Sequence, residues 1–470
     1  MNARQWMALI ASAGALAAGA PAAPKPNFVF ILIDDMGWTD AGCCGSKFYE
    51  TPHIDRLAAQ GMRFTSGYAA CPVCSPTRAS IQTGKYPARL HLTDWIPGAV
   101  KGRLLPADYL THLPLEETTI AEALKPAGYA TRFLGKWHLG GAAYFPDQQG
   151  YDVNLGGCEQ GYPPSYFSPY KIPTLPDGPP GEYLTDRLAD EAVQFIEASK
   201  DKPFFLFLSH YAVHTPLQGK APGIAKYQAK AAALPPCAGP RFVPEGRRTA
   251  RQVQDHPVYA AMVASVDDAV GRVMAKLDEL KLADRTIIIF TSDNGGLSTS
   301  EGSPTANVPL RAGKGWLYDG GIREPLIIKW PGATRPGSVC DEPVISTDFY
   351  PTMLAMAGLP LRPEQHRDGV SLEPLLRGTG TLGRPAIFWH YPHYGNQGGS
   401  PGGAVRAGDW KLIEFYEDQR VELYNLRDDI GEKNNLAAKQ PEKAAELRQR
   451  LHDWRRSVNA NMPKPNPGYK

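Results

Sequence analysis

Hydrophobic residues in this chain gather into short unbroken runs. Asn27–Ile33, Phe204–Ser209 and residues 285–292 are apolar or β-branched at almost every position and stop at polar residues. That predicts strands covered on both faces, as in a parallel sheet. Residues 129–134 and 325–331 add two shorter strands. Between the runs the apolar period lengthens to three and four, predicting a short helix over residues 119–125 and a long amphipathic one from about Pro257 to Leu280, with Asp267 and Asp268 on its solvated face. From about Arg384 the texture changes. Residues 386–389, 404–406, 410–415 and 421–424 read as short strands joined by Gly- and Asp-rich turns, before a helix from Pro441 to about Val458 and a loose tail from Pro463. The expected fold is α/β: a large mixed, mostly parallel sheet sandwiched by helices over residues 24–383, then a smaller α+β subdomain with an antiparallel sheet over residues 384–470.

The places where the runs end carry the chemistry. The first delivers Asp34 and Asp35, and the run at 285–292 delivers Asp293 and Asn294. Open α/β sheets place ligands at the carboxyl ends of their strands. Adjacent carboxylates after a buried strand repel each other and are costly to desolvate, so positive charge is expected among them. Four hard oxygen donors suit Ca²⁺ or Mg²⁺ and lack the nitrogen and sulfur that zinc prefers. The second feature is Cys71-Pro72-Val73-Cys74-Ser75-Pro76-Thr77-Arg78. Ser75 reads as an N-cap, Pro76 as the first helical residue and Gly84 as the stop. Cys74 then stands at a helix mouth where free N–H groups favour an anion, with Arg78 one turn in. Lys136 and His138, two apart on an extended segment after a strand, share one face.

Composition bounds the partners. The chain has 470 residues, 43% hydrophobic and 21% charged, enough to bury a large core, and its net charge of +2 predicts neither a nucleic-acid binder nor a polybasic membrane partner. Residues 1–23 read as an export signal, too short for a membrane span, and no later apolar run is long enough for one. The seven cysteines fit no zinc spacing. If Cys74 is modified six remain, an even number that permits disulfides, of which at most one or two are expected.

Cys74-Ser75-Pro76-Thr77-Arg78 resembles the C-x-P-x-R signature of the type I sulfatases, of the alkaline-phosphatase-like superfamily, whose cysteine is oxidised to the aldehyde formylglycine. Further blocks resemble the same family: Gly135-Lys136-Trp137-His138-Leu139-Gly140, the histidine two residues before a proline at His214, the glycine-rich segment 309–325 around Lys314, and the block 423–436. Together they span nearly the whole mature chain.

The resemblance implies a metal site of Asp34, Asp35, Asp293, Asn294 and the formylglycine oxygen at Cys74, with Ca²⁺ ahead of Mg²⁺. Lys136, Lys314 and His214 would bind the sulfate, and Arg78 and His138 would hold the nucleophile. Asp293 is then a candidate base and His214 a candidate acid for the leaving oxygen, with Arg323 bracing the loop. His210 is expected to be a satisfied structural histidine. A hydrated aldehyde has two hydroxyls on one carbon, one to attack sulfur in line and one to be deprotonated so that sulfate leaves.

The implied protein is a secreted or periplasmic, exo-acting carbohydrate sulfatase, matured by a formylglycine-generating or sulfatase-maturing enzyme. Trp95, His112, Trp316, Trp389, His390, Tyr391 and His393 suit a sugar, although core packing explains several of them. Three alternatives stay open: a phosphodiesterase or phosphonate hydrolase of the same superfold, a non-catalytic protein that binds sulfated glycans, and a Cys71/Cys74 redox pair.

Overall fold

The computed structural model describes residues 25–98 and 100–469, and the expected export signal over residues 1–23 lies outside them. The main sheet has nine strands: β1 Asn27–Ile33, β2 Met62–Tyr68, β3 Ala130–Gly135, β4 Val153–Leu155, β5 Phe204–Ser209, β6 Thr286–Ser292, β7 Arg323–Lys329, β8 Ser338–Cys340 and β9 Val344–Ile345. Their order is β8-β2-β7-β6-β1-β5-β3-β4, with β9 also on β2. Every pairing is parallel except the two that β7 makes, with β2 and β6.

The central position of β1 explains its unbroken apolar run. Val29, Ile31 and Ile33 enter the core on one face, and Phe28, Phe30 and Leu32 enter the core on the other. Burying each such side chain stabilises the fold by about 1.5–3 kcal/mol. Among the helices, α1 Pro52–Gln60, α3 Leu184–Ala198 and α4 Pro257–Glu279 cover the first face, while α2 Cys74–Thr83 sends Ala79 and Ile81 into the second.

The α4 face departs from expectation. Asp268 is exposed, but Asp267 is buried and accepts N–H bonds from His53 (3.0 Å) and Ile54 (2.8 Å). Thr51, the N-cap residue of α1, makes no side-chain cap bond, so an acid from another helix satisfies those orphan donors. Burial raises the Asp267 carboxyl to about 6.

The second sheet, β10 Ile387–Tyr391, β11 Gly402–Ala407, β12 Trp410–Phe415 and β13 Val421–Asn425, is antiparallel and ordered as in the chain. Leu447, Leu451 and Trp454 of α5 Pro441–Ser457 pack against it. Tyr68, Cys71 and Val73 of the main body join the same apolar cluster. The tail is not loose: Lys464–Pro465 pairs with Leu104–Leu105, and Asn466 N donates to Arg103 O (2.8 Å). Among the described residues no helix is long and apolar enough to cross a membrane.

Candidate active site

Ile33 of β1 lies opposite Ser292 of β6, so Asp34 and Asp35 leave the sheet edge beside Asp293 and Asn294. Asp35 N donates to Asp293 Oδ1 (3.2 Å), and Asn294 Nδ2 donates to Asp35 Oδ1 (2.7 Å). The expected positive charge is present. Lys136, just past β3, donates to Asp34 Oδ2 (2.7 Å), and Lys314 lies 2.8 Å from both oxygens of Asp35. Arg78 of α2 donates Nε to Asp293 Oδ2 (2.8 Å) and Nη1 to Lys136 O and Ser209 Oγ (both 2.8 Å), and its Nη2 lies 2.8 Å from Asp293 Oδ2 as an ion pair.

Three buried carboxylates thus face three buried cations. Burial drives the Asp34 carboxyl well above its ordinary range, against the pull of Lys136. Burial also raises Asp35 and Asp293, but Lys314 and His214 outweigh it at the first and Arg78 at the second, so both sit low. Two oxygens are left over. Asp34 Oδ1 and Asn294 Oδ1 are buried and accept no hydrogen bond, the guanidinium of Arg78 lying 3.8 Å from the former. Asp34, Asp35 and His214 each place a ligand-capable atom within 4.8 Å of the others.

The helix that carries Cys74 begins two residues earlier than expected. Val73 is its N-cap with no side-chain cap bond, while Ser75 Oγ accepts the N–H of Ile96 (3.3 Å). Gly84 ends the helix as expected, at φ 71°. Cys74 Sγ lies 3.3 Å from His138 Nδ1, and His138 Nε2 lies 2.5 Å from Ile96 O. A carbonyl only accepts, so Nε2 carries the proton and Nδ1 turns its lone pair to position 74. Burial, then Lys136, holds this ring neutral, well below the usual histidine range. His138 and Asp35 adopt left-handed backbone, φ 58° and 64°, a strain typical of functional sites.

His214 Nδ1 donates to Thr215 O (2.8 Å), and its Nε2 stands 3.7 Å from Asp35 Oδ2. Burial and Lys314 lower it to about 3. His210 is fully buried with neither ring nitrogen partnered, so it is packed rather than satisfied. The glycines beside Lys314 serve chain packing, since a Cβ on Gly313 would sit 2.3 Å from Gly296 O. Arg323 braces the loop as expected, donating to Thr65 O (2.7 Å) and Asp319 Oδ2 (3.3 Å).

A cavity of about 930 Å³ opens over Cys74, His138, His214 and Lys314. Of the seven aromatic and histidine residues expected at a sugar, Trp95 alone lines it. Trp316, Trp389, His390, Tyr391 and His393 are buried, and His112 stacks on Tyr144. Glu159, Tyr162, Glu301 and Gln397 also line the cavity and carry no motif that would have marked them. All seven thiols are free. Cys71 is buried near Thr93 O and its thiol is pushed well up by burial, which argues against a reactive dithiol with Cys74.

Comparison with known proteins bears on this geometry. The sulfatase family model matches residues 26–359, and a model described as N-sulphoglucosamine sulphohydrolase, C-terminal, matches residues 312–458. A sulfatase of Formosa agariphila is 33% identical over 93% of this chain and 90% of its own length. Human arylsulfatase A is 33% identical over 90% of this chain and 85% of its own. The crystal structure of Ps i-CgsB in complex with k-i-k-neocarrahexaose superposes with a TM-score of 0.74 at 29% identity, covering 92% of this chain and 93% of that one. With a family model across most of its length and relatives this complete, the chain belongs to the sulfatase family of the alkaline-phosphatase-like superfamily, whose members hydrolyse sulfate esters.

Proposed function

We infer that this sulfatase is an exported, exo-acting carbohydrate sulfatase that uses a formylglycine made from Cys74 and a Ca²⁺ held by Asp34, Asp35, Asp293, Asn294 and the residue at position 74. The reading rests on one observation: Cys74 and Lys314 line the same cavity, while Lys314 and Lys136 tie that cavity to the acidic strand ends. Two buried, unpartnered oxygens from different strands, Asp34 Oδ1 and Asn294 Oδ1, fit a hard cation. Ps i-CgsB, a relative in fold and sequence, was crystallised with an oligosaccharide, which favours a sugar ester as substrate.

When present, the ion supplies charge stabilisation for an oxyanion and the hydrated aldehyde supplies a nucleophilic hydroxyl. The side chains of this chain do the rest. His138 Nδ1 accepts a hydrogen bond from the hydroxyl at position 74 and so holds it, its tautomer set by Ile96 O. Arg78 anchors Asp293 and so keeps that candidate base in place. Lys136 and Lys314 donate to sulfate oxygens, giving up part of their contact with Asp34 and Asp35. His214 serves the leaving oxygen from Nε2, where it must first hold a proton; burial opposes this, and the ester's negative charge favours it.

The test measures sulfate release from defined saccharides sulfated at terminal or internal units, beside an aryl sulfate and an aryl phosphodiester, with the mass of the Cys74 peptide read on the same sample. Release from terminal units by enzyme carrying the aldehyde is expected. Faster turnover of the phosphodiester, or full activity with an unmodified thiol, would overturn the reading.

A further inference from the structure

The cavity has a charge pattern that the sulfate chemistry does not explain. Lys314 is its one basic lysine or arginine among the described residues, and Asp35 already holds it at 2.8 Å. Two acids, Glu159 and Glu301, both exposed, line the same cavity. Glu301 is exposed at the cavity, but its carboxylate is tethered. Its Oε1 accepts Asn396 Nδ2 and Gln397 Nε2 (both 3.1 Å), its Oε2 accepts Thr215 Oγ1 (3.4 Å), and all three donors line the cavity too. Its backbone is left-handed, φ 52°, which further restricts where the side chain can reach. Arg248, which donates to Asn396 O (2.8 Å), is not a lining residue.

A carboxylate tethered in this way opposes any second anion brought in with the ester, while it accepts hydroxyl protons and pairs with an ammonium. We propose that Glu301, with Glu159, makes the enzyme select sulfate esters whose carrier is otherwise neutral or cationic, such as a monosulfated neutral or amino sugar, and reject carriers with a second sulfate or a carboxylate nearby. The proposal rests on the sulfatase reading and deepens it by naming the substrate class.

Three aryl esters isolate charge from sugar identity: para-nitrophenyl sulfate, para-sulfooxybenzoate with an added carboxylate, and para-trimethylammoniophenyl sulfate with an added cation. Dissociation constants are measured by calorimetry on enzyme with an unconverted Cys74 thiol, and kcat/KM on matured enzyme. The cationic ester should bind about tenfold tighter than the anionic one, and Glu301→Gln, which keeps an acceptor for Asn396 and Gln397, should cut that ratio about threefold. Glu159→Gln should cut it further in the double variant. A wild-type ratio near one, or a ratio unmoved by both substitutions, overturns the proposal. Charge-selective binding without turnover by matured enzyme would strike the hydrolytic reading instead and leave the charge selection standing.

Discussion

The molecule buries two ionic clusters, and they are built on opposite terms. At the strand ends Asp34, Asp35 and Asp293 meet Arg78, Lys136 and Lys314, yet Asp34 Oδ1 and Asn294 Oδ1 keep no protein partner. Where the second sheet meets the main body, Lys411 lies 2.7 Å from Asp319 Oδ1 and 2.8 Å from Glu432 Oε1. There the other oxygens are met as well, Asp319 Oδ2 by Tyr68 and Arg323 and Glu432 Oε2 by the Asp319 N–H. Glu432 Oε1 meets Lys411 as an ion pair without a hydrogen bond, so each carboxylate oxygen there has a cation or donor within 3.3 Å, whereas Asp34 Oδ1 has its nearest cation at 3.8 Å. Burial is equal in the two, so the difference lies in how closely opposite charge approaches: the second cluster braces, and the first has an oxygen free to bind.

The contrast can be broken in four ways. Cys74→Ala should lower kcat/KM by about 10⁴-fold or more with little change in melting temperature, because the substitution removes one sulfur whose hydrogen-bond contact among the described residues is His138 Nδ1. A loss of tenfold or less would mean that the open cluster is not the reaction centre. Lys411→Met strands two buried acids and should destabilise the fold by about 3–5 kcal/mol in urea titrations while the folded fraction keeps its turnover number. Stability unchanged by that substitution would show that the closed cluster braces nothing. Chelating divalent cations should remove activity and about 3 kcal/mol of stability relative to protein in Ca²⁺ at a hundred times its dissociation constant, both returning with Ca²⁺. An enzyme indifferent to chelator would leave the orphan oxygens without a purpose.

The smallest effect sharpens the comparison with an intermediate case. Asp94 is buried with two hydrogen-bond donors, Trp95 N and Tyr391 Oη, and no lysine or arginine, and burial raises it to about 8. Its folded value lies above its unfolded value near 4, so the folded state holds the proton more tightly. Stability should therefore fall as pH rises from about 4 to about 8 and level off above. Asp94→Asn should flatten that slope, as read from denaturation midpoints between those limits. An equal slope in both proteins would place the titration elsewhere.

The sheet and its acidic strand ends were readable because a strand covered on both faces cannot hide its composition: β1 and β6 are buried throughout, mostly apolar or β-branched, and then switch to Asp or Asn. Cys74, Arg78, Lys136, His138, His214 and Lys314 were readable because they sit in short fixed spacings, and the structure brings them together. What stayed hidden depends on distant partners. Asp267 looks like one of two surface acids on α4 until its partner Ile54, 213 residues away, is in place. Ser75 has the chemistry of an N-cap, but the N–H of Ile96 takes its hydroxyl. The cavity wall at Glu159 and Glu301 comes from loops, whose residues follow no period at all.

The pairing of β1 with β6 has a consequence for the making of the protein. Ile33 and Ser292 touch across 259 positions of chain, so a polypeptide emerging from the ribosome carries its first two acids through most of translation before Asp293 and Asn294 exist. A chain halted before β6 lacks Asp293 and Asn294 and with them half of the proposed site, so the topology alone keeps a half-made enzyme incomplete.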